Sequence, residues 1–260
     1  MDPLLQPDLI DDPTRSATAE PARASSTAAR RRSWARHAVL GATALGAAGL
    51  FLVISRSLDT RHANRFDHAV MRAAGRARSA PRTTFVVNLT NLGGVAGIVA
   101  LSLGAVLGSM KRSPRAAAQI ALGALGGISA ELGLKQIFGR ARPTILPHLQ
   151  RVASKSFPSG HAMASASFYP TLALVASRGR RLRDVRVPLL ATSALLAAAV
   201  GGTRVYLGVH WPTDVLGGLA LGTAWAWGLE AAFDYTGARK IERAIEKPHL
   251  FPPAGAPTVA

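Results

Sequence analysis

The charges of this chain are gathered into short clusters, and long runs without any lie between them. From His37 to Ile54 an Ala-, Gly- and Leu-rich stretch of 18 residues contains no Asp, Glu, Lys or Arg. A helix needs about 20 predominantly apolar residues to cross a hydrocarbon core, so this run is read as a first span. Further apolar runs at 85–109, 116–138, 160–177, 187–203 and 212–229 are read as five more. The expected fold is all-α, a bundle of six transmembrane helices. A secretory or twin-arginine signal is the competing reading of the first run. The long preceding tail and the lack of a small-x-small cleavage site after it count against that.

Three segments follow from this division. Residues 1–33 are polar, basic and without sustained apolar periodicity, and are expected to form a disordered tail ending in Arg30, Arg31 and Arg32. Residues 34–232 form the membrane domain, and 233–260 a short helix with a frayed end. Between the first two spans, Phe66, Val70, Ala73 and Ala74 recur at helical spacing among arginines, as in an interfacial helix that Pro81 would close.

The chain has a formal charge of +17, which in a soluble protein would suggest nucleic acid. Here the basic residues sit at the ends of apolar runs and not in a stripe interleaved with aromatics, so they are assigned to head groups and acidic substrates and nucleic acid is excluded as partner. Cysteine is absent, which removes thiolate nucleophiles and cysteine metal sites. Counting Lys and Arg on alternate sides places 18 with the two termini and 13 opposite. Setting aside Lys135, Arg142 and Arg204, which are claimed below for substrate, the bias favours cytoplasmic termini in the cell membrane.

Three clusters carry chemistry. Lys135 and Arg142 are seven residues apart, a spacing that puts both on one helical face, and Pro143 is expected to end that helix at Arg142. Pro158-Ser159-Gly160-His161 has the composition of a helix start. Free backbone N–H groups and a hydroxyl would meet an anion there, Gly160 would allow close approach, and His161 would offer a proton. Arg204 precedes His210 and Asp214, which lie four apart across a helix start with Pro212 in its first turn. A carboxylate on one ring nitrogen fixes the tautomer and frees the other nitrogen as a nucleophile. Taken singly, each cluster also reads as an interfacial anchor or a capped helix. With spans between them, the three return to one membrane face.

Lys135-x6-Arg142-Pro143, Pro158-Ser159-Gly160-His161 and Arg204-x5-His210-x3-Asp214 resemble the three signature motifs of the type-2 phosphatidic acid phosphatase and vanadium haloperoxidase superfamily. The match spans about 80 residues in the family's order, with Thr203 where the family usually has serine. The resemblance implies a metal-free membrane lipid phosphatase with no cofactor and an extracytoplasmic active site. Lys135, Arg142, Ser159, Gly160 and Arg204 would hold phosphate, His210 would attack phosphorus to give a phosphohistidine, Asp214 would orient His210, and His161 would protonate the leaving lipid oxygen. The implied partners are a lipid phosphate and membrane lipids. A lipid-linked phosphotransferase, a vanadate-dependent haloperoxidase and a non-enzymatic carrier are the rivals. Undecaprenyl diphosphate, phosphatidylglycerol phosphate and phosphatidic acid stay open as substrates, as does the oligomeric state. Glu131, one helical turn before Lys135, is read as its ion partner, and Asn88 and Asn91 either line the site or, the favoured reading, hydrogen-bond between helices.

Overall fold

A computed structural model describes residues 13–59, 62–179 and 182–246. They form eight α-helices: α1 Pro13–Ser57, α2 Arg65–Arg76, α3 Ala80–Asn91, α4 Val95–Met110, α5 Pro114–Phe138, α6 Gly160–Ala176, α7 Arg186–Tyr206 and α8 Pro212–Glu246. The chain divides into two compact units, Met1–Val39 and Leu40–Ala260. In the first, α1 begins at Pro13, inside the segment expected as a tail, whose residues 1–12 lie outside the described ones. In the second, α8 continues through residue 233 without a break, and residues 247–260 lie outside the described ones.

The all-α class holds, but the count of six spans does not. Among the described residues three helical segments, Trp34–Ser57, Pro114–Phe138 and Arg186–Tyr206, are long and apolar enough to cross a bilayer. A fourth crossing is reached if α3 and α4, bent by 48° at their junction, are taken together. The runs at 160–177 and 212–229 are where the expectation failed. With 17 residues α6 extends only about 25 Å, and it is buried by its neighbours. Its enclosed surface therefore carries Ser165, Ser167 and Thr171 in place of lipid-facing aliphatics. In α8 the apolar run is diluted by Gly217, Gly218, Gly222, Thr223, Trp225, Trp227 and Glu230.

Those α8 glycines let α6 come close. A Cβ at Gly218 would stand 2.5 Å from the carbonyl oxygen of Ser159, and one at Gly222 would stand 2.5 Å from that of Met163. Small residues spaced four apart in this way allow two helix backbones to approach. At the far end of the bundle from residue 160, Gln119 of α5 donates to Glu230 of α8 at 2.9 Å, and Arg178, just past α6, pairs with Glu230 and donates to Gln119 at 2.8 Å. Glu230 is fully buried, and these bonds offset its desolvation.

The helix expected to end at Arg142 ends earlier. Gly139 takes a left-handed conformation (φ 61°), and its N–H caps Lys135. Such a cap is a glycine's ordinary place at a helix C-terminus. Lys135 is therefore helical, whereas Arg142 lies on the 139–159 loop. Pro143 acts within that loop and does not stop the helix.

Candidate active site

Six of the eight residues singled out from the sequence, Lys135, Arg142, Gly160, His161, Arg204 and His210, line one cavity of about 150 Å³. Gly93, Val95, Ile128, Glu131, Val152, Ser154 and Ala164 complete its wall. Asp214 and Ser159 stand outside this lining, both fully buried. Each position follows from local structure. Ser159 caps α6, which places Gly160 and His161 in its first turn. Arg204 belongs to the last turn of α7, and Gly208 (φ 80°) turns the chain so that His210 comes back over the cavity before Pro212 opens α8.

Arg142 and Arg204 are held by neutral acceptors that leave their charge uncancelled, whereas Lys135 is held by a carboxylate. Arg142 donates through Nε to the carbonyl of Ser154 at 2.7 Å and through Nη1 to that of Val209 at 2.5 Å. The same Nη1 lies 3.2 Å from Nε2 of His210. Arg204, 2% exposed, donates through one Nη to Thr90 Oγ1 at 2.9 Å and to Gln150 Oε1 at 2.6 Å, while its Nε has no hydrogen-bond partner. The hydroxyl of Thr203 also donates to Thr90 Oγ1, at 2.8 Å. Lys135 pairs with Glu131, as expected, and donates to Ser154 Oγ at 3.0 Å. Burial lowers the Arg142 guanidinium from its ordinary value, and the carboxylates of Asp214 and Glu131 pull it back.

His210 sits between opposing charges. Its Nδ1 is 3.5 Å from Oδ2 of Asp214, too long for a strong hydrogen bond, and that oxygen already accepts from Ser156 Oγ at 2.5 Å and from the Trp211 N–H at 2.8 Å. Asp214 thus faces the ring as a fixed charge more than as a tight partner. Burial holds the imidazole down at about 4. Asp214 opposes this shift, and Arg142 and Arg204 reinforce it. The ring is therefore neutral at pH 7.

The glycine of the second cluster has a steric reason. A Cβ at Gly160 would come within 2.6 Å of the Glu131 carboxylate. The Oγ of Ser159 makes no cap bond and has no hydrogen-bond partner. Gly93 and Gly94, at the bend between α3 and α4, pack against α6. A Cβ at Gly94 would lie 3.5 Å from Nε2 of His161.

The sequence reading passed over several residues that hold this arrangement. Arg140, which no motif marks, is 2% exposed and donates at 2.6 Å to Asp214 Oδ1 and at 2.7 Å to Asp67 Oδ2. Asp67, on α2, is fully buried, so α2 is more than the interfacial helix expected. Ser154, Ser156, Gln150 and Thr90 were also missed. Asn88 and Asn91 do not line the cavity; their neighbour Thr90 contacts Arg204 instead. Among the described residues no group of three or more His, Cys, Asp or Glu is arranged to hold a metal ion.

The all-helical fold thus brings cations and histidines together around one cavity large enough for a phosphate-sized anion. The sequence profile of the PAP2 superfamily matches residues 116–237. Phosphatidylglycerophosphatase B of Bacillus subtilis (strain 168) is 30% identical over 175 residues, 66% of this chain and 85% of that protein. Lipid A 1-phosphatase of Rhizobium etli is 37% identical over 105 residues, 37% of this chain and 40% of that protein. The crystal structure of a transmembrane PAP2 type phosphatidylglycerolphosphate phosphatase from Bacillus subtilis superimposes with a TM-score of 0.67 at 26% identity, over 80% of this chain and all of that one. The chain belongs to the PAP2 superfamily of metal-independent membrane lipid-phosphate phosphatases.

Proposed function

We propose that this protein hydrolyses a phosphate ester or diphosphate on a membrane lipid through a phosphohistidine formed at Nε2 of His210. The observation that carries the reading is the placement of His210, with a carboxylate beyond Nδ1 and a guanidinium N–H directed at Nε2. A guanidinium has no acceptor, so Nε2 must be the accepting, unprotonated nitrogen. Its lone pair attacks phosphorus, the bond from phosphorus to the lipid oxygen breaks, and His161 gives that oxygen a proton; burial and the surrounding cations hold its imidazole at about 3, and the anionic phosphoryl group in the cavity offsets those cations so that it carries the proton when substrate is bound. Water then attacks the phosphorus, the P–N bond breaks, His161 takes the water's proton, and phosphate leaves. Lys135, Arg142 and Arg204, with the Gly160 amide, stabilise the charge on the phosphoryl oxygens as the transition state forms. Asp214 keeps the proton on Nδ1.

The cavity has about 150 Å³, comparable to one that takes benzene, so it admits a phosphoryl group and leaves the lipid tail outside. The charge bias supports an orientation. The loops around Lys111 and between Arg178 and Arg186 are strongly basic, as cytoplasmic loops are, and this bias supports the reading of an extracytoplasmic site. Among substrates, phosphatidylglycerol phosphate is favoured by the relative matched over most of its length.

The test is inorganic phosphate release by purified protein in detergent from phosphatidylglycerol phosphate, undecaprenyl diphosphate, lipid A and phosphatidic acid, side by side. Fastest release from the first is expected. No release from any of the four would overturn the reading.

A further inference from the structure

Asp67 has no place in the mechanism above, yet few charged groups in the protein are better satisfied. It lies in the first turn of α2, fully buried, and its two oxygens accept from Arg140 Nη2 at 2.7 Å, from the Thr213 N–H at 2.9 Å and from the Thr213 hydroxyl at 2.8 and 2.9 Å. Arg140 spans the gap to the reaction: its other Nη donates at 2.6 Å to Asp214 Oδ1 and at 2.7 Å to Thr213 Oγ1. Arg140 also lies over the ring of Trp211 at 5.7 Å. One buried guanidinium thus divides its charge between two buried carboxylates, only one of which faces His210.

We infer that Asp67 is a positioning residue for the phosphatase reaction, acting through Arg140 to hold Asp214 in place and to leave it a net negative charge toward His210. The inference rests on the phosphohistidine reading. Without Asp67 the whole charge of Arg140 would fall on Asp214, and the imidazole would lose the field that makes it basic. Without Arg140 two carboxylates would face each other unshielded, and His210 would feel more negative charge than it does now. The remaining groups around the ring are constant across this comparison: Glu131 and Lys135 on α5, Arg142 on the loop, His161 on α6 and Arg204 on α7.

The two removals therefore shift the acid limb of the rate profile in opposite directions, which a purely structural role would not do. The experiment measures kcat and KM for phosphatidylglycerol phosphate across pH, and the rate of phosphoenzyme trapping, in the full-length protein and in the variants Asp67→Asn, Arg140→Gln and His210→Ala. Folding of each is followed by size exclusion and circular dichroism. Asp67→Asn is expected to lower kcat about 10-fold with KM little changed, as loss of a supporting partner does. Its acid limb moves down by roughly half a pH unit, and that of Arg140→Gln moves up by a similar amount. Folded variants whose limbs coincide with the wild type would overturn the inference. If Asp67→Asn does not fold, the direction of the Arg140→Gln limb decides alone. Phosphate release by His210→Ala at the wild-type rate would instead sink the reading beneath it, whatever the limbs do.

Discussion

Nη1 of Arg142 and Nε2 of His210 lie 3.2 Å apart, and this contact fixes which ring nitrogen carries a proton. Two donors cannot share such a contact, so the proton is on Nδ1, on the side of Asp214. In the proposed reaction, an incoming phosphoryl oxygen takes the place of Nε2 as acceptor for Arg142 and frees the lone pair toward phosphorus.

Replacing His210 with alanine leaves the cavity but removes the proposed nucleophile. Turnover should fall by about 10³-fold or more, with no phosphoenzyme trapped from labelled substrate by acid quench. Wild-type burst amplitude in that variant would take His210 out of the chemistry.

The pH profile follows from the burial of the same ring. Since the folded protein holds His210 at about 4, the neutral form required for attack persists well below neutrality and is lost only as pH falls through that value. The acid limb of kcat/KM should therefore lie below the 6.5 of a free imidazole. A limb at or above that value, measured with a substrate whose own ionisation is corrected for, would contradict the electrostatics described here.

Fixed cations hold the phosphoryl group in this reading, so chelators should have little effect. Activity in EDTA is expected to stay within about 2-fold of the untreated enzyme. Abolition by EDTA with recovery on adding a divalent ion would transfer the charge stabilisation to a metal.

Gly218 offers a test of packing. A methyl group there would stand 2.5 Å from the Ser159 carbonyl, a backbone atom that cannot swing aside. Gly218→Ala should cost about 1–3 kcal/mol and displace the turn that carries His161, lowering the melting temperature in detergent and the rate together. An unchanged melting temperature would show that α6 and α8 separate more easily than their contact suggests.

The reach of the sequence can be read residue by residue. The Pro158–His161 and His210–Asp214 clusters were legible because their geometry is local: a cap, a first turn and an i, i+4 pair fix it within a few residues. Arg140 was not. Its two carboxylates are 73 and 74 positions away, and no short-range spacing sets it apart from the neighbouring cations. Asp67 was hidden in the same way inside an amphipathic pattern, and Thr90 and Gln150 are tied to Arg204 across 114 and 54 positions. The end of α5 was misjudged because proline was weighed as the breaker when Gly139, with its access to positive φ, had already turned the chain four residues before Pro143. The spans were overcounted for a different reason. Hydropathy measures a helix against lipid, and α6 is enclosed by protein.

The cluster of Gln119, Arg178 and Glu230 lies a bundle's length from the reacting atoms, yet it acts on them as a rivet. Sliding α8 along α6 by one residue would bring the glycine seam out of register with the Ser159 carbonyl and also pull Glu230 away from its guanidinium. A helical shear that blunted the phosphate cradle would therefore have to break a buried ion pair at the opposite pole, so the two ends of the molecule hold or fail as one.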